Sequence, residues 1–328
     1  MFVDLILLIV GFVLLVKGAD FFVDGSSAVA KMLKIPSIIV GLTIVAMGTS
    51  FPELAASLTA LMKGSNEIAV SNVVGSNFFN LMVVLGVCAI ISPITVDRGV
   101  VKREFPFSII ISVLTVIFMA DNFISLIPEV KSDKVERCVG VISRFNGAIL
   151  LVLFVAFMIY TVLSALNQRK NMEDEEDGKK INVWLALVFI VGGIAAIKFG
   201  GDFVVDSASA IATELGMSTT LVGLTIVAVG TSLPELVTSI VAANKGETGL
   251  AIGNVVGSNI FNILLILGLS GTIHPILVGF EALVDFIVLV AISILVYLFT
   301  RTKDKIERGE GIVMVVIYVA YMVYAIVR

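Results

Sequence analysis

The sequence predicts an all-α polytopic membrane protein with ten transmembrane helices. Of its 328 residues, 58% are hydrophobic and only 15% are charged, and its mean hydropathy is +1.09. An average soluble protein has about 25% charged residues, so a soluble chain of this composition could not cover its apolar surface. The net charge of −4 provides no basic surface for nucleic acid, which excludes a nucleic-acid partner. The lipid bilayer is therefore the expected environment.

Ten apolar runs are long enough to cross a bilayer, which takes roughly 20 residues in a helix. The first run follows Met1 without a basic segment or a cleavage site, so we expect it to be retained as a span. The runs do not alternate apolar and polar residues as the strands of a membrane barrel do. The predicted spans lie near residues 1–30, 36–62, 67–92, 105–122, 145–166, 183–212, 219–243, 249–272, 280–300 and 311–327.

A short charged linker follows the fifth predicted span and divides the chain into halves. It contains the acidic run Glu173–Asp177, flanked by lysine and arginine. Such a run is usually a solvated linker, and Ca²⁺ sensing is the alternative interpretation. We expect two five-helix halves with one repeat each: residues 1–166 with a repeat at about 36–92, the linker 167–181, and residues 182–328 with a repeat at about 218–272.

Lysine and arginine residues orient the predicted spans, because they are more frequent in cytoplasmic loops. Fourteen of them fall on the side of the linker and six on the opposite side. The segment 121–144 weakens the contrast, because it mixes four cationic with four acidic residues. We therefore expect a multi-pass protein of the cell membrane, with the linker 167–181 in the cytoplasm and both termini extracellular.

An internal repeat relates the two halves. The segment Gly41–Leu54, GLTIVAMGTSFPEL, recurs as GLTIVAVGTSLPEL at Gly223–Leu236, an offset of 182 residues. The same offset maps Asn72–Asn80 onto Asn254–Asn262, and 35 of 65 positions aligned without a gap are identical. Because each half has an odd number of spans, the second copy enters the membrane in the opposite orientation. The sequence thus predicts two inverted repeats with a site on interrupted helices at the midplane, as in many secondary transporters.

One acidic residue lies near the middle of an apolar span in each half: Glu53 in the second span and Glu235 in the seventh. An ionised carboxylate at the bilayer centre costs about 2.5–3.5 kcal/mol on insertion scales, so a repeated one indicates function. Each glutamate follows a proline, which deprives a carbonyl one turn earlier of its helical partner. Carboxylates, hydroxyls and free carbonyls are ligands for Na⁺, Ca²⁺ or Mg²⁺. The hydroxyls at this level belong to Thr49, Ser50, Thr231 and Ser232.

Two structural interpretations compete with ion binding. Serine three residues before each glutamate also fits a capping box that begins a helix, and a cap and an ion site can coexist. In the third and eighth spans, each serine of the GSN motif lies one helical turn before an asparagine, so the two share a face. They could complete an ion's coordination shell or hydrogen-bond between helices. These residues are Ser76, Asn80, Ser258 and Asn262.

Other charges within the spans also repeat, but they lie nearer the span ends. We assign Asp20, Asp24 and their repeat equivalents Asp202 and Asp206 to structure or gating. Their expected partners are interfacial water and the lysines within the spans, Lys17 and Lys198.

The paired GTSxPE and GSNxxN segments resemble the α-repeats of the Ca²⁺/cation antiporter superfamily, in particular its prokaryotic Na⁺/Ca²⁺ exchangers. The resemblance covers nearly the whole chain. It implies that Ca²⁺ and Na⁺ are the transported substrates, that both bind to Glu53 and Glu235, and that there is no cofactor. Further ligands implied by position are the hydroxyls and carbonyls of Thr49, Ser50, Thr231 and Ser232, the carbonyls of Ala46 and Ala228, Ser76 and Ser258 at flanking Na⁺ positions, and Asn80 and Asn262 beside the centre.

The resemblance implies a secondary active antiporter that exchanges Na⁺ for Ca²⁺ by alternating access, electrogenically and as a monomer. Some relatives have aspartate where this chain has Asn262, so only two carboxylates remain, which argues against K⁺ co-transport. The first and sixth spans are the expected moving elements, with Gly18, Gly200 and Gly201 as flexible points. A Ca²⁺/H⁺ exchanger and a cation channel are the alternatives. Sequence motifs of an intramembrane enzyme, HExxH or GxSxG, are absent, so we do not expect an enzyme.

Overall fold

The computed structural model describes residues 2–63, 67–96, 99, 102–120, 138–169, 182–217, 222, 226 and 228–327. The described residues are mostly helical, at 87%. Within the described ranges, seven helices are long and apolar enough to cross a membrane, or eight if a bent pair counts as one span. The helices are α1 (Phe2–Leu33), α2 (Ser37–Val40), α3 (Ala46–Thr49), α4 (Phe51–Met62), α5 (Glu67–Phe79), α6 (Leu85–Ile91), α7 (Glu104–Met119), α8 (Arg144–Arg169), α9 (Val183–Glu214), α10 (Ala228–Gly230), α11 (Leu233–Asn244), α12 (Thr248–Phe261), α13 (Gly268–Ile273), α14 (Phe280–Lys303) and α15 (Arg308–Val327).

The helices of the second and seventh predicted spans are interrupted next to the candidate glutamates. The segments Ser37–Thr49 and Phe51–Met62 meet at 43°. In the second half, α10 ends at Gly230 and α11 begins at Leu233. Both α4 and α11 carry proline in their first turn, where its missing amide hydrogen does no harm, whereas the preceding helix cannot continue through it. The prediction that these helices are interrupted is confirmed.

Three wider π-helical turns can be given complete bounds within the described residues, and two of them begin at candidate ligands. The turns cover Gly41–Val45, Asn80–Val84 and Asn262–Leu267. A π-helical turn shifts the hydrogen-bond register of a helix and is frequent at functional sites. The second and third turns join α5 to α6 and α12 to α13, so each of these helices changes register at its asparagine.

The third and eighth spans form the centre of the molecule. In the most apolar stretch of each span, 94% of residues are buried for Thr248–Ile273 and 72% for Ala69–Ile91, against 22% for Phe2–Leu33. The outer helices are apolar where they are exposed, which suits a lipid environment better than water. The central position of α5 and α12 puts the repeated GSN motifs where the two halves meet.

Helices α1 and α9 cross in antiparallel directions at glycines. A Cβ atom at Gly18 would lie 3.0 Å from the carbonyl oxygen of Gly193, and one at Gly11 would lie 2.9 Å from that of Gly200. Small residues let two membrane helices approach this closely. The helices are continuous through Gly18, Gly200 and Gly201, so the first two are crossing points, and none of the three is a break.

The described residues also include four short strands, which the sequence did not predict. Strand β1 (Ile94–Thr95) pairs antiparallel with β4 (Lys305–Ile306), and β2 (Cys138–Ile142) pairs antiparallel with β3 (Ile276–Gly279). Each pair joins a segment of the first half to one of the second. The strands follow or precede apolar helices directly, so their few residues merge with the helical runs in a hydropathy pattern.

Two predicted boundaries differ from the structure. Helix α8 continues to Arg169, so the first three residues assigned to the linker 167–181 are helical, and residues 170–181 lie outside the described ranges. The fourth span is a short helix of 16 residues, Glu104–Met119. At about 1.5 Å per residue it covers roughly 24 Å, less than the other spans.

Candidate functional site

Glu53 and Glu235 are both fully buried, and each receives a hydrogen bond from the opposite half of the chain. The hydroxyl of Ser232 donates to Oε1 of Glu53 at 3.2 Å, and that of Ser50 donates to Oε1 of Glu235 at 3.3 Å. Each serine sits at the break of its own helix and each glutamate in the first turn beyond the break. The two interrupted helices therefore meet at their breaks, with the carboxylates between them.

These serines do not form the capping box that their spacing suggested. Ser50 and Ser232 occupy the N-cap positions of α4 and α11, but neither makes a side-chain capping hydrogen bond. Their hydroxyls bond to a glutamate 185 or 179 residues away instead. The capping interpretation is wrong, because the buried carboxylate of the other half is the acceptor within reach.

Further hydroxyls surround the carboxylates. Ser76 donates to Oε1 of Glu53 at 3.4 Å and lies 3.1 Å from the hydroxyl of Ser232, which donates to it. On the other side, Thr49 donates to Oδ1 of Asn254 at 2.9 Å and lies 3.4 Å from the hydroxyl of Ser258. The structure thus brings Ser76 and Ser258 next to residues at the breaks.

The predicted carbonyl ligands lie in the helical turns that precede the breaks. The carbonyl oxygen of Ala46 accepts the amide of Ser50 at 3.0 Å and the hydroxyl of Thr49 at 3.3 Å. Ala228 is the first residue of α10. Thr231 follows α10 directly, and its buried hydroxyl has no hydrogen-bond partner among the described residues. The carbonyl of Ala46 is therefore not left free by the break, whereas the hydroxyl of Thr231 is.

Four asparagines connect the central helices, and two of them were not predicted. Nδ2 of Asn80 donates to Oδ1 of Asn259 at 3.2 Å, and Nδ2 of Asn262 donates to Oδ1 of Asn77 at 3.0 Å. Asn77 and Asn259 belong to the repeated GSN motif, so their recurrence at the same offset was a signal that could have found them.

A second pair of missed asparagines supports the backbone of the glutamates. Nδ2 of Asn72 donates to the carbonyl oxygen of Glu53 at 3.2 Å and to the hydroxyl of Ser57 at 3.0 Å. Nδ2 of Asn254 makes the same bonds in the other half, to Glu235 at 3.4 Å and to Ser239 at 3.0 Å. Both were again visible as repeated residues.

The arrangement leaves buried oxygens without hydrogen bonds and carboxylates without a counter-charge. Among the described residues, no lysine or arginine pairs with Glu53 or Glu235, and no group of three or more His, Cys, Asp and Glu could hold a metal. A buried carboxylate without a cation is strongly unfavourable. Two carboxylates surrounded by neutral oxygens suit one hard cation of charge two or two of charge one. The unpartnered oxygens are Oε2 of Glu53 and Glu235, Oδ1 of Asn80 and Asn262, and Oγ1 of Thr231.

Three of the four aspartates singled out in the spans, Asp20, Asp24 and Asp202, are paired with lysines outside this site. Lys245, in the turn after α11, contacts Asp24 at 2.7 Å and Asp20 at 3.1 Å on α1. Asp202 pairs with Lys198 within α9, at 2.6 Å. Partial burial opposes the charge of Lys245, but the bonds to Asp24 and Asp20 outweigh it and raise its pKa. These three aspartates therefore have structural partners, and Lys245 joins α1 to the turn after α11.

Nearly the whole chain is similar in sequence to known proteins. Residues 3–163 and 185–327 match the sequence profile of the family described as sodium/calcium exchanger protein. The chain belongs to the sodium/calcium exchanger family. It is thus a multi-pass membrane protein of a family of cation/Ca²⁺ antiporters, which are transporters and not enzymes.

Individual relatives match over almost their entire length. The protein CaxA of Alkalimonas amylolytica is 38% identical over 330 residues, which cover 98% of both chains. The sodium/calcium exchanger MaX1 of Methanosarcina acetivorans is 34% identical over 346 residues, again 98% of both. A solved structure of the sodium-calcium exchanger NCX_Mj, soaked with Na⁺ and Ca²⁺, matches with a TM-score of 0.81 at 31% identity and covers 98% of each chain.

Proposed function

We propose that this exchanger family member couples Na⁺ movement to Ca²⁺ movement in the opposite direction, with Glu53 and Glu235 as the shared ligands. The observation that carries the proposal is the pair of fully buried carboxylates without a counter-charge, each bonded to a serine of the other half. A buried anion pair needs cations, and the surrounding groups are all hard oxygen donors. The names of MaX1 and NCX_Mj as sodium/calcium exchangers support the same pair of ions.

The charge of the site gives a physical rule for exchange. One Ca²⁺ neutralises two carboxylates, and so do two Na⁺, so the two cargoes compete for one site. When cations occupy the site, its net charge is small. The site can then change access across a low-dielectric barrier at a lower free-energy cost than an empty site of charge −2. If more than two Na⁺ move for each Ca²⁺, net charge crosses the membrane and the rate depends on voltage. We therefore propose obligatory exchange, and, because the family resemblance implies more than two Na⁺ for each Ca²⁺, we propose that it is electrogenic.

The remaining ligands in our proposal are neutral. The hydroxyls and carbonyls at the breaks would complete the shell of Ca²⁺, which takes six to eight oxygens. Ser76 and Ser258 would serve flanking Na⁺ positions and Asn80 and Asn262 the centre. The proposed ligands at the breaks are Thr49, Ser50, Thr231, Ser232 and the carbonyls of Ala46 and Ala228.

We further propose that ten spans form two inverted five-helix halves, residues 1–166 and 182–328, joined by a cytoplasmic linker and functioning as a monomer. The antiparallel crossing of α1 and α9 and the reciprocal serine–glutamate bonds support this arrangement. Single cysteines at Asn171 and Arg328 should react with impermeant reagents from opposite sides of the membrane. Reaction from the same side would contradict both the span count and the inverted repeat.

The decisive experiment measures ⁴⁵Ca²⁺ uptake into Na⁺-loaded proteoliposomes. We expect uptake when external Na⁺ is absent, and its loss when Na⁺ is equal on both sides. Uptake driven by a pH gradient instead would identify a Ca²⁺/H⁺ exchanger, and flux without any counter-ion would identify a channel. Because the centre has only two carboxylates, replacing K⁺ by a large inert cation should not change the rate. A strict K⁺ requirement would contradict the proposed coupling.

A further inference from the structure

Four buried asparagine side chains form a reciprocal hydrogen-bonded set at the contact between the third and eighth spans. Asn77 and Asn80 belong to the first half, and Asn259 and Asn262 to the second. All four are at most 2% exposed. Oδ1 of Asn77 accepts Nδ2 of Asn262 at 3.0 Å, and Oδ1 of Asn259 accepts Nδ2 of Asn80 at 3.2 Å. Each bond therefore runs between the halves.

These bonds determine the direction in which the side-chain oxygens of Asn80 and Asn262 point. An asparagine side chain has an acceptor oxygen on one arm and a donor nitrogen on the other. Because the nitrogens of Asn80 and Asn262 are held by the opposite half, their oxygens point the other way. Those two oxygens are buried and accept no hydrogen bond from any residue that the structure describes. They are thus free to contact a cation.

The orientation of the Asn77 and Asn259 side chains is fixed in turn by backbone atoms. Nδ2 of Asn77 donates to the carbonyl oxygen of Asn259 at 3.4 Å, and Nδ2 of Asn259 donates to that of Asn77 at 3.5 Å. Turning the Asn77 carboxamide over would place its nitrogen against the nitrogen of Asn262 and its oxygen against a carbonyl oxygen. Both bonds would be lost in a buried environment, so one orientation is strongly preferred.

We propose that Asn77 and Asn259 are positioning residues that hold the oxygens of Asn262 and Asn80 toward the ions and thereby favour Ca²⁺ over Na⁺. This inference rests on the proposed function, since it assigns a role beside the same site. Ca²⁺ takes six to eight oxygen ligands, and its double charge attracts each neutral oxygen more strongly than Na⁺ does, so the loss of two such oxygens weakens the binding of Ca²⁺ more. An amide nitrogen turned inward would in addition repel either cation.

The first test replaces Asn77 by leucine, which keeps the approximate size and removes both polar arms. Equilibrium ⁴⁵Ca²⁺ binding to the purified full-length protein should weaken about tenfold, the usual effect of losing one buried hydrogen bond. Competition by Na⁺ should change less. Asn146→Leu is the matched control, because Asn146 is also buried but lies on α8, outside the asparagine set. It should leave Ca²⁺ binding within twofold of the unmodified protein.

A double-mutant cycle separates positioning from a structural role. In an Asn262→Ala background, Asn77→Leu should cause no further loss of Ca²⁺ affinity, because its target is gone. Asn259→Leu in that background should still weaken binding, because it acts through Asn80. A merely structural role would weaken binding equally with and without Asn262. If the Asn77→Leu protein is not monodisperse, Asn77→Ala replaces it in the same cycle.

The outcomes distinguish this inference from the proposed function. If the unmodified protein neither binds Ca²⁺ nor exchanges it for Na⁺, the proposed function is wrong. If it does both, and Asn77→Leu binds Ca²⁺ as tightly as the control or loses the same factor in both backgrounds, the positioning role is overturned. Selective loss of Ca²⁺ affinity that disappears in the Asn262→Ala background supports it.

Discussion

The crossing of α1 and α9 predicts opposite effects for two adjacent alanine substitutions. A Cβ atom at Gly200 would lie 2.7 Å from the amide nitrogen of Leu15 and 2.8 Å from the carbonyl oxygen of Gly11. A Cβ atom at the neighbouring Gly201 would meet no atom of the described residues within 4 Å. Both glycines are in the interior of the same helix, so they differ in packing alone.

The size of the effect follows from these distances. Ordinary contacts of a Cβ atom begin at 3.4 Å, so Gly200→Ala must move the two helices apart by about 0.7 Å. Overpacking of this kind costs about 1–3 kcal/mol. In both variants the free energy of unfolding rises by about 0.5–1 kcal/mol from helix propensity, because alanine favours a helix more than glycine does. The difference in stability between the variants should therefore be about 1–3 kcal/mol, with Gly201→Ala the more stable.

Thermal unfolding of the two purified variants in one detergent measures this difference. Gly201→Ala should unfold at or above the temperature of the unmodified protein, and Gly200→Ala should unfold below Gly201→Ala. The initial rate of Na⁺-driven Ca²⁺ uptake should also fall in Gly200→Ala if α1 and α9 move against each other during transport. Equal unfolding temperatures for the two variants would refute the close backbone contact.

Four further substitutions, with one control, test the site and its surroundings. Glu53→Gln or Glu235→Gln should reduce Ca²⁺ exchange by at least about two orders of magnitude while the protein stays monodisperse, because the amide keeps the shape of the carboxylate but removes one of the two charges that balance the cation. Exchange near the original rate would remove the proposed site. Asn262→Asp adds a third acid, so Na⁺-driven uptake should become more sensitive to pH, and an unchanged pH profile would contradict its position beside the carboxylates. Lys245→Gln should change the exchange rate by up to about fivefold at low ionic strength and less at high salt. Lys63→Gln is its control, because the repeat-equivalent Lys63 is exposed and has no ion pair among the described residues.

The elements that depend on local sequence could be predicted. Apolar runs predicted the long helices, and Pro52 and Pro234 predicted the interruptions, because a missing amide hydrogen acts on the chain's own preceding turn. The cost of burying Glu53 and Glu235 marked them as functional, and the structure buries both completely. The repeat then identified the neighbouring hydroxyls, because equivalent positions of a repeat are expected to share an environment. These hydroxyls belong to Thr49, Ser50, Thr231 and Ser232.

The pairings between distant segments could not be predicted. A capping box is a local pattern, and it was wrong because Ser50 bonds to Glu235, whose proximity depends on the packing of the two halves. The strands were missed for the same reason, since two to five residues have no periodicity of their own. The repeat showed that Asn77 and Asn259 are equivalent, but not that each bonds to the other half.

The strand pairs between the halves also constrain the synthesis of the protein. Ile94 pairs with Ile306, so its partner leaves the ribosome 212 residues later. At about 5–20 residues per second, this delay lasts roughly 10–40 s. During that time the first half lies in the membrane with the strand at Ile94 unpaired. Until Ser232 has been synthesised, Glu53 also lacks the hydrogen bond from that serine. A nascent chain of this kind is exposed to quality-control proteases until its last helix is inserted, so truncation near the C-terminus should lower the amount of protein in the membrane more than its distance from the site suggests.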